Sequence, residues 1–128
     1  LGDVYKRQDL ENFKTPQNNL NSAEQAYYRL EADYEAARLL VLRATWMADN
    51  RKPNSLEASV SKAKAGRSET LICLKCIELC ATIGYSHDEL LEKWGRDAKI
   101  LDIFEGTQQI QQLIIARTLL GKSSKELK

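Results

Sequence analysis

The sequence predicts an all-α chain folded as an up-and-down helical bundle, an incomplete four-helix one. Three observations carry this. Apolar residues recur at three- and four-residue steps through four segments. The chain is rich in Ala, Leu, Glu, Lys, Arg and Gln, with two prolines and six glycines, which opposes an all-β fold and disorder. The segments are joined by short connections, as between near-antiparallel neighbours. A length of 128 residues suits one compact domain.

Leu1 to Gln8 (LGDVYKRQ) fits no helical period and resembles translated adapter sequence. Asp9 to Leu20, with Thr15-Pro16 followed by the three amides Gln17, Asn18 and Asn19, reads as loop. Residues 1–20 are therefore expected to be a non-native or disordered leader and loop, and residues 21–121 the helical domain. The first helix is expected at Ser22, an N-cap with Gln25 in capping-box spacing. Its stripe runs through Tyr27, Leu30, Tyr34, Ala37, Val41, Ala44 and Ala48, and Asp49, Asn50 and Pro53 stop it. Asn54 or Ser55 caps a second helix, whose stripe is Leu56, Val60, Ala63, Thr70, Leu74, Ile77 and Ala81, ending at Gly84. Gly66 within it costs ~1 kcal/mol relative to alanine or marks a close helix approach. Asp88 is expected to cap a third helix carrying Leu90, Leu91, Trp94, Ala98 and Leu101. Ile103-Phe104-Glu105-Gly106 then reads as a tight break. A last helix starts at Thr107, holds Ile110, Leu113, Ile114 and Leu120, and ends at the C′ glycine Gly121. Residues 122–128 read as a solvated tail.

Charge points to no partner. Lys and Arg total 19 against 18 Asp and Glu, a net of +1, which gives no basic face for nucleic acid. No apolar run approaches the ~20 residues of a membrane span, and no secretory signal pattern opens the chain. A soluble, non-secreted protein is expected. The odd number of cysteines, Cys73, Cys76 and Cys80, fits a reducing compartment, and their spacing places them on one helix face as small packing residues. Metal binding is disfavoured, since His87 is the single histidine. Tyr27, Tyr28, Tyr34, Trp46 and Trp94 are expected on packed bundle faces rather than around a ligand.

One segment carries candidate chemistry. In Arg96–Ile110 a carboxylate, Glu105, stands just before a helix start. It can simply complement the helix dipole for ~0.3–1 kcal/mol, with Thr107 capping the first turn. Alternatively Gly106 removes bulk beside the carboxylate, free N–H groups face a ligand, and Ile103 and Phe104 exclude water, which suits a general base. Arg96 and Asp97 read as a structural pair or cap.

The stretch RDAKILDIFEGTQQIQQLIIARTLLG resembles the C-terminal signature of acyl-CoA dehydrogenases, flavoenzymes that introduce an α,β double bond into acyl-CoA thioesters. ARLLVLRATW, the Asn54-Ser55 turn, ASVSKAKA and LCATIGYS extend the resemblance upstream, so it covers roughly Ser22 to Gly121. The resemblance implies the C-terminal helical domain of such an enzyme as an N-terminally truncated fragment, inactive alone. It implies FAD as cofactor, acyl-CoA as substrate, an electron-transfer flavoprotein or similar acceptor, and a homo-oligomeric parent, a dimer or dimer-of-dimers. Glu105 matches the base that removes the α-proton, Gly106 a position against the substrate, and Thr107, Gln108 and Gln109 flavin-contacting positions. Glu78, Leu79, Cys80, Ala81 and Thr82 align with a segment that often reads Gln-x-x-Gly-Gly and touches a flavin held by a neighbouring subunit. Here glutamate replaces the amide and Ala81-Thr82 the glycine pair, so an ordinary core helix stays an open reading. A bacterial cytoplasmic location is expected, and the mitochondrial matrix is compatible. The alternative from another class is a non-catalytic helical oligomerisation module derived from the same fold.

Overall fold

The computed structural model describes residues 20–123 and 125–126. The readings of residues 1–19 and of the rest of the tail lie outside the described residues. Four helices follow in order: α1 (Ser22–Asp49), α2 (Ser55–Gly84), α3 (Leu91–Leu101) and α4 (Gln108–Leu120). The described residues contain no strand. Helix α2 is the hub: α1, α3 and α4 each pack on it and not on one another.

Helix α1 begins at Ser22, as expected, but its N-cap is Asn21, one residue before the expected cap. Asn21 Oδ1 accepts from Glu24 N at 2.9 Å while Glu24 Oε2 accepts from Asn21 N at 2.8 Å. The capping box is thus Asn21–Glu24 rather than Ser22–Gln25, because this pairing satisfies two orphan N–H groups reciprocally. Gln25 turns instead to Leu20 O at 2.9 Å. At the other end Arg51, at φ 53°, and Lys52 return their N–H groups to Ala48 O and Met47 O. This is a Schellman closure, with Pro53 just beyond.

The buried line of α1 is Leu30, Asp33, Ala37, Leu40, Ala44 and Met47, of which Ala37 and Ala44 are fully buried. Tyr27, Tyr34, Val41 and Ala48 of the expected stripe are exposed. Since α1 packs on α2 alone, it has one covered flank, and that flank is set by ties to α2. Lys64 Nζ reaches Asp33 Oδ1 at 2.5 Å, Arg43 reaches Glu57 at 3.1 Å, and Asn54 Nδ2 donates to Ala44 O at 3.0 Å. The same geometry corrects the aromatic expectation: Tyr27, Tyr34, Trp46 and Trp94 are 56, 51, 54 and 50% exposed, and Tyr28 is half-buried.

Along α2 the buried positions are small: Ser59, Ser61, Ala63, Gly66 and Ser68, followed by Ile77 and Gly84. Small residues let three neighbours approach one helix closely. A Cβ on Gly66 would lie 3.0 Å from Leu101 O, so this glycine marks a close approach of the end of α3. Helical geometry fails at Ala81, which has φ 49° and ψ −127°. Those angles are the ones the first central position of a type II′ turn takes, normally held by glycine. The chain folds back there: a Cβ on Gly84 would stand 2.4 Å from Ile77 O, seven residues earlier. The expected continuous helix to Gly84 is therefore reversed over its last turn.

Helix α3 starts later than expected. Its N-cap is Leu90, in the left-handed region at φ 59°, and Asp88 caps nothing. Asp88 N instead donates to Ser86 Oγ at 3.3 Å in the preceding turn. Arg96 and Asp97 do not pair with each other. Arg96 binds Glu92 twice at 2.9 Å and Asp97 takes Lys93, because four-residue spacing, unlike adjacency, stacks side chains on one helix face. Helix α4 is capped by Thr107, whose hydroxyl accepts from Ile110 N at 3.4 Å, and closed by Gly121 at φ 62°. The tail's described part is exposed yet bonded: Glu126 Oε2 accepts from Ser123 N and Oγ at 2.7 and 2.6 Å.

Candidate active site

The loop joining α3 to α4 places Glu105. Ile103 N and Phe104 N both donate to Ile100 O, at 2.9 and 3.0 Å, and Gln108 N reaches back to Asp102 O at 3.1 Å. Closing so short a loop takes two consecutive positive-φ residues, Glu105 at 53° and Gly106 at 99°. A non-glycine residue in this region costs about 1–2 kcal/mol. The cost falls on the residue that carries the carboxylate, and such strain concentrates at functional sites.

Glu105 is exposed, and among the described residues its carboxylate makes no hydrogen bond or ion pair. The N–H groups of Glu105, Gly106 and Thr107 likewise meet no acceptor there. Gly106 is glycine for a backbone reason: its φ excludes side chains, and a Cβ would sit 2.6 Å from Gln111 Nε2. The space beside it is thus already occupied by an amide, which a movable side chain can vacate. Gln111 escaped the sequence reading, as its amide approaches Glu105 O at 3.5 Å across the first turn of α4 without any local signal. Gln108 Oε1 and Asp102 Oδ1 are buried with no partner, while Gln109 is exposed. The loop therefore presents an unpaired carboxylate, three unengaged donors and a buried unpaired amide oxygen. Its apolar neighbours in sequence, Ile103 and Phe104, are 54 and 47% exposed.

The second predicted segment lies elsewhere. Glu78 stands sixteen residues after Lys62, which touches the Glu105 loop, and so is about 24 Å farther along α2 at ~1.5 Å per residue. Glu78 is exposed and paired with Lys75 at 2.6 Å. Leu79, Cys80, Ala81 and Thr82 are exposed, so the reading of Cys80 as a packing residue fails. Cys73 and Cys76 are half-buried, and burial pushes both thiols up. Among the described residues no cluster of three or more His, Cys, Asp or Glu is placed to hold a metal.

An open groove of about 570 Å³ lies between α2, the Tyr85–His87 turn and α3, with Leu74 and Ile77 among its lining. It excludes Glu105. Arg96 and Lys99 on its rim are paired with Glu92 and Asp102, and the Arg96 bond holds the Glu92 carboxyl below the ordinary range.

Residues 9–120 match the family described as acyl-CoA dehydrogenase, C-terminal domain. The chain belongs to that family. It is 35% identical over 108 residues to the mitochondrial short-chain specific acyl-CoA dehydrogenase of Rattus norvegicus, covering 84% of this chain and 26% of the rat protein. It is 39% identical over 88 residues to the CarC subunit of the caffeyl-CoA reductase-Etf complex of Acetobacterium woodii, covering 69% of this chain and 23% of that one. The structure of butyryl-CoA dehydrogenase from Megasphaera elsdenii superposes with a TM-score of 0.77 at 28% identity, covering 84% of this chain and 28% of that chain. The chain thus spans about a quarter of the length of the acyl-CoA dehydrogenases it matches. No described helix is long and apolar enough to cross a membrane.

Proposed function

We propose that the chain supplies the C-terminal helical domain of a flavin-dependent acyl-CoA dehydrogenase, with Glu105 taking the α-proton of the thioester. The observation that carries this reading is the reversal at Glu105-Gly106. It holds a carboxylate without a partner on a strained backbone, beside three N–H groups without acceptors.

The α-proton of a thioester is too weakly acidic for a carboxylate in water. Abstraction needs cover over Glu105 and donors at the developing enolate oxygen. In this chain the carboxylate is open, flanked by Ile103 and Phe104, so the cover has to come from outside the described residues. The Glu105 N–H is free to serve as one donor. The proton passes to a Glu105 carboxylate oxygen, and Gly106 lets the substrate approach as the Gln111 amide moves.

FAD, when bound, accepts the hydride leaving the β-carbon. The start of α4 suits it: Gln108 brings an unpaired buried oxygen and Thr107 an unengaged N–H, with Gln109 beside them. At Glu78–Thr82 the Lys75 pair answers the charge of Glu78, and the glycine-type turn at Ala81 keeps the backbone shape despite its methyl group. The distance along α2 suits contact with the flavin of a neighbouring subunit in a homo-oligomer. The Etf complex named for the Acetobacterium relative supports an electron-transfer flavoprotein as acceptor. The chain alone is inactive on this reading, and the parent enzyme is placed in a bacterial cytoplasm or the mitochondrial matrix. The exposed apolar flank of α1 favours the second reading, a non-catalytic oligomerisation module.

A chimera separates the two. Residues 21–121 replace the matching segment of the rat short-chain enzyme, and the product is assayed for retained yellow flavin and its bleaching by butyryl-CoA. Flavin that bleaches supports the dehydrogenase reading; a folded chimera with no flavin supports the module.

A further inference from the structure

The last carbonyl groups of a helix have no helical donors and need partners from elsewhere. At the end of α3 one row of α2 faces two of them. Lys62 Nζ donates to Leu101 O at 2.5 Å, while the Thr70 hydroxyl, which donates to Gly66 O of its own helix at 3.1 Å, lies 3.4 Å from Ala98 O. Gly66 stands between them in that row and leaves room for the Leu101 carbonyl, which would lie 3.0 Å from a Cβ. Four-residue steps put positions 62, 66 and 70 on one face.

Lys62 does more than complete a carbonyl. Its ammonium also lies 5.8 Å from the centre of the Phe104 ring, within the range of cation–π attraction. Among the described residues it pairs with no carboxylate. One cation from α2 therefore holds the loop at Leu101 and at Phe104, the residue immediately before Glu105. A cation is well suited there, because the end of a helix carries partial negative charge.

We propose that Lys62 is a positioning residue for Glu105: by gripping Leu101 O and the Phe104 ring, it sets where the carboxylate stands relative to α2 and α4. Its consequence for turnover rests on the reading of Glu105 as base; the grip itself does not.

Amide hydrogen exchange by NMR on the full 128-residue chain tests it. The reporters are Ile103, Phe104 and Gln108, whose N–H bonds close the loop. Lys62→Met keeps the aliphatic stem and removes the charge. Exchange at those three amides is expected to accelerate about tenfold, the size of a lost charge-assisted hydrogen bond. Amides of α1 keep their rates, and Lys62→Arg stays near wild type. Equal acceleration everywhere, or none in the loop, overturns the proposal. If Lys62→Met leaves no folded chain, Phe104→Leu carries the test, since it removes the ring and spares the bond to Leu101; acceleration confined to the same amides supports the grip, and no local change overturns it. Glu105→Gln leaves these rates unchanged, so failure of the base reading in the chimera is distinguishable from failure of the grip.

Discussion

Replacing Ala81 by glycine is expected to stabilise the chain, although glycine within a helix ordinarily does the opposite. Ala81 sits at φ 49° and ψ −127°, where its methyl group crowds the backbone. Residues in such regions cost of order 1–3 kcal/mol, and glycine relieves most of it. Against this stands the greater freedom glycine has when unfolded, roughly 0.5–1 kcal/mol. The net expectation is about 1 kcal/mol of added stability, and on the order of 4 °C in midpoint temperature for a domain of this size. Gly84→Ala is the companion. Its methyl group would fall 2.4 Å from the Ile77 carbonyl oxygen, a backbone atom that cannot swing away, so the fold-back opens and stability drops. Urea titration followed by helical circular dichroism, at one fixed protein concentration, reads both as shifts of midpoint at unchanged slope. If Ala81→Gly lowers the midpoint by the ~1 kcal/mol typical of a helix interior, the residue lies in an ordinary helix and the fold-back reasoning is refuted.

Three further outcomes follow from the packing. Gly66→Ala, which would gain ~1 kcal/mol in an isolated helix, is expected to lose about 1 kcal/mol here by crowding Leu101 O at 3.0 Å; thermal melts give the sign. Burial raises the Cys73 and Cys76 thiols, with Glu69 adding to the effect at Cys73. The unfolded chain then ionises first, so stability is full below the ordinary thiol range of about 8.5 and falls as pH rises through the higher folded values. Urea midpoints between neutral and alkaline pH under reducing conditions test this, and a flat profile contradicts it. Finally, Leu39, Leu42 and Trp46 leave an uncovered apolar flank on α1, so sedimentation is expected to show concentration-dependent self-association. A monomer at all concentrations removes that expectation.

Local chemistry was legible wherever one residue dictates its own surroundings. Thr107 and Gly121 could be read as cap and terminator because each acts through its own hydroxyl or backbone freedom. The break at Ile103–Gly106 was visible for the same reason. Periodicity, by contrast, tells which residues share a stripe and not which stripe finds a neighbour. On α1 the half carrying Ala37 and Ala44 is covered while the half carrying Tyr27 and Tyr34 is not. The fold-back at Ala81 was hidden because alanine is the best helix former, and its conformation is imposed against local preference. Leu90 gives no capping signal, having no polar atom. The tie from Lys62 to Leu101 spans 39 residues, and no local pattern encodes it. At the candidate site the carboxylate, glycine and threonine were readable in order, whereas the unpaired Gln108 oxygen and the Gln111 amide needed three dimensions.

Whether Glu105 is the proton acceptor is measured most directly by rapid-mixing reduction of the flavin by butyryl-CoA in the chimera. Glu105→Gln is expected to leave flavin content unchanged and to slow bleaching by about a thousandfold or more, within the range typical of a lost general base. Bleaching within tenfold of the parent chimera, with flavin equally bound, would contradict it and move the base to another residue.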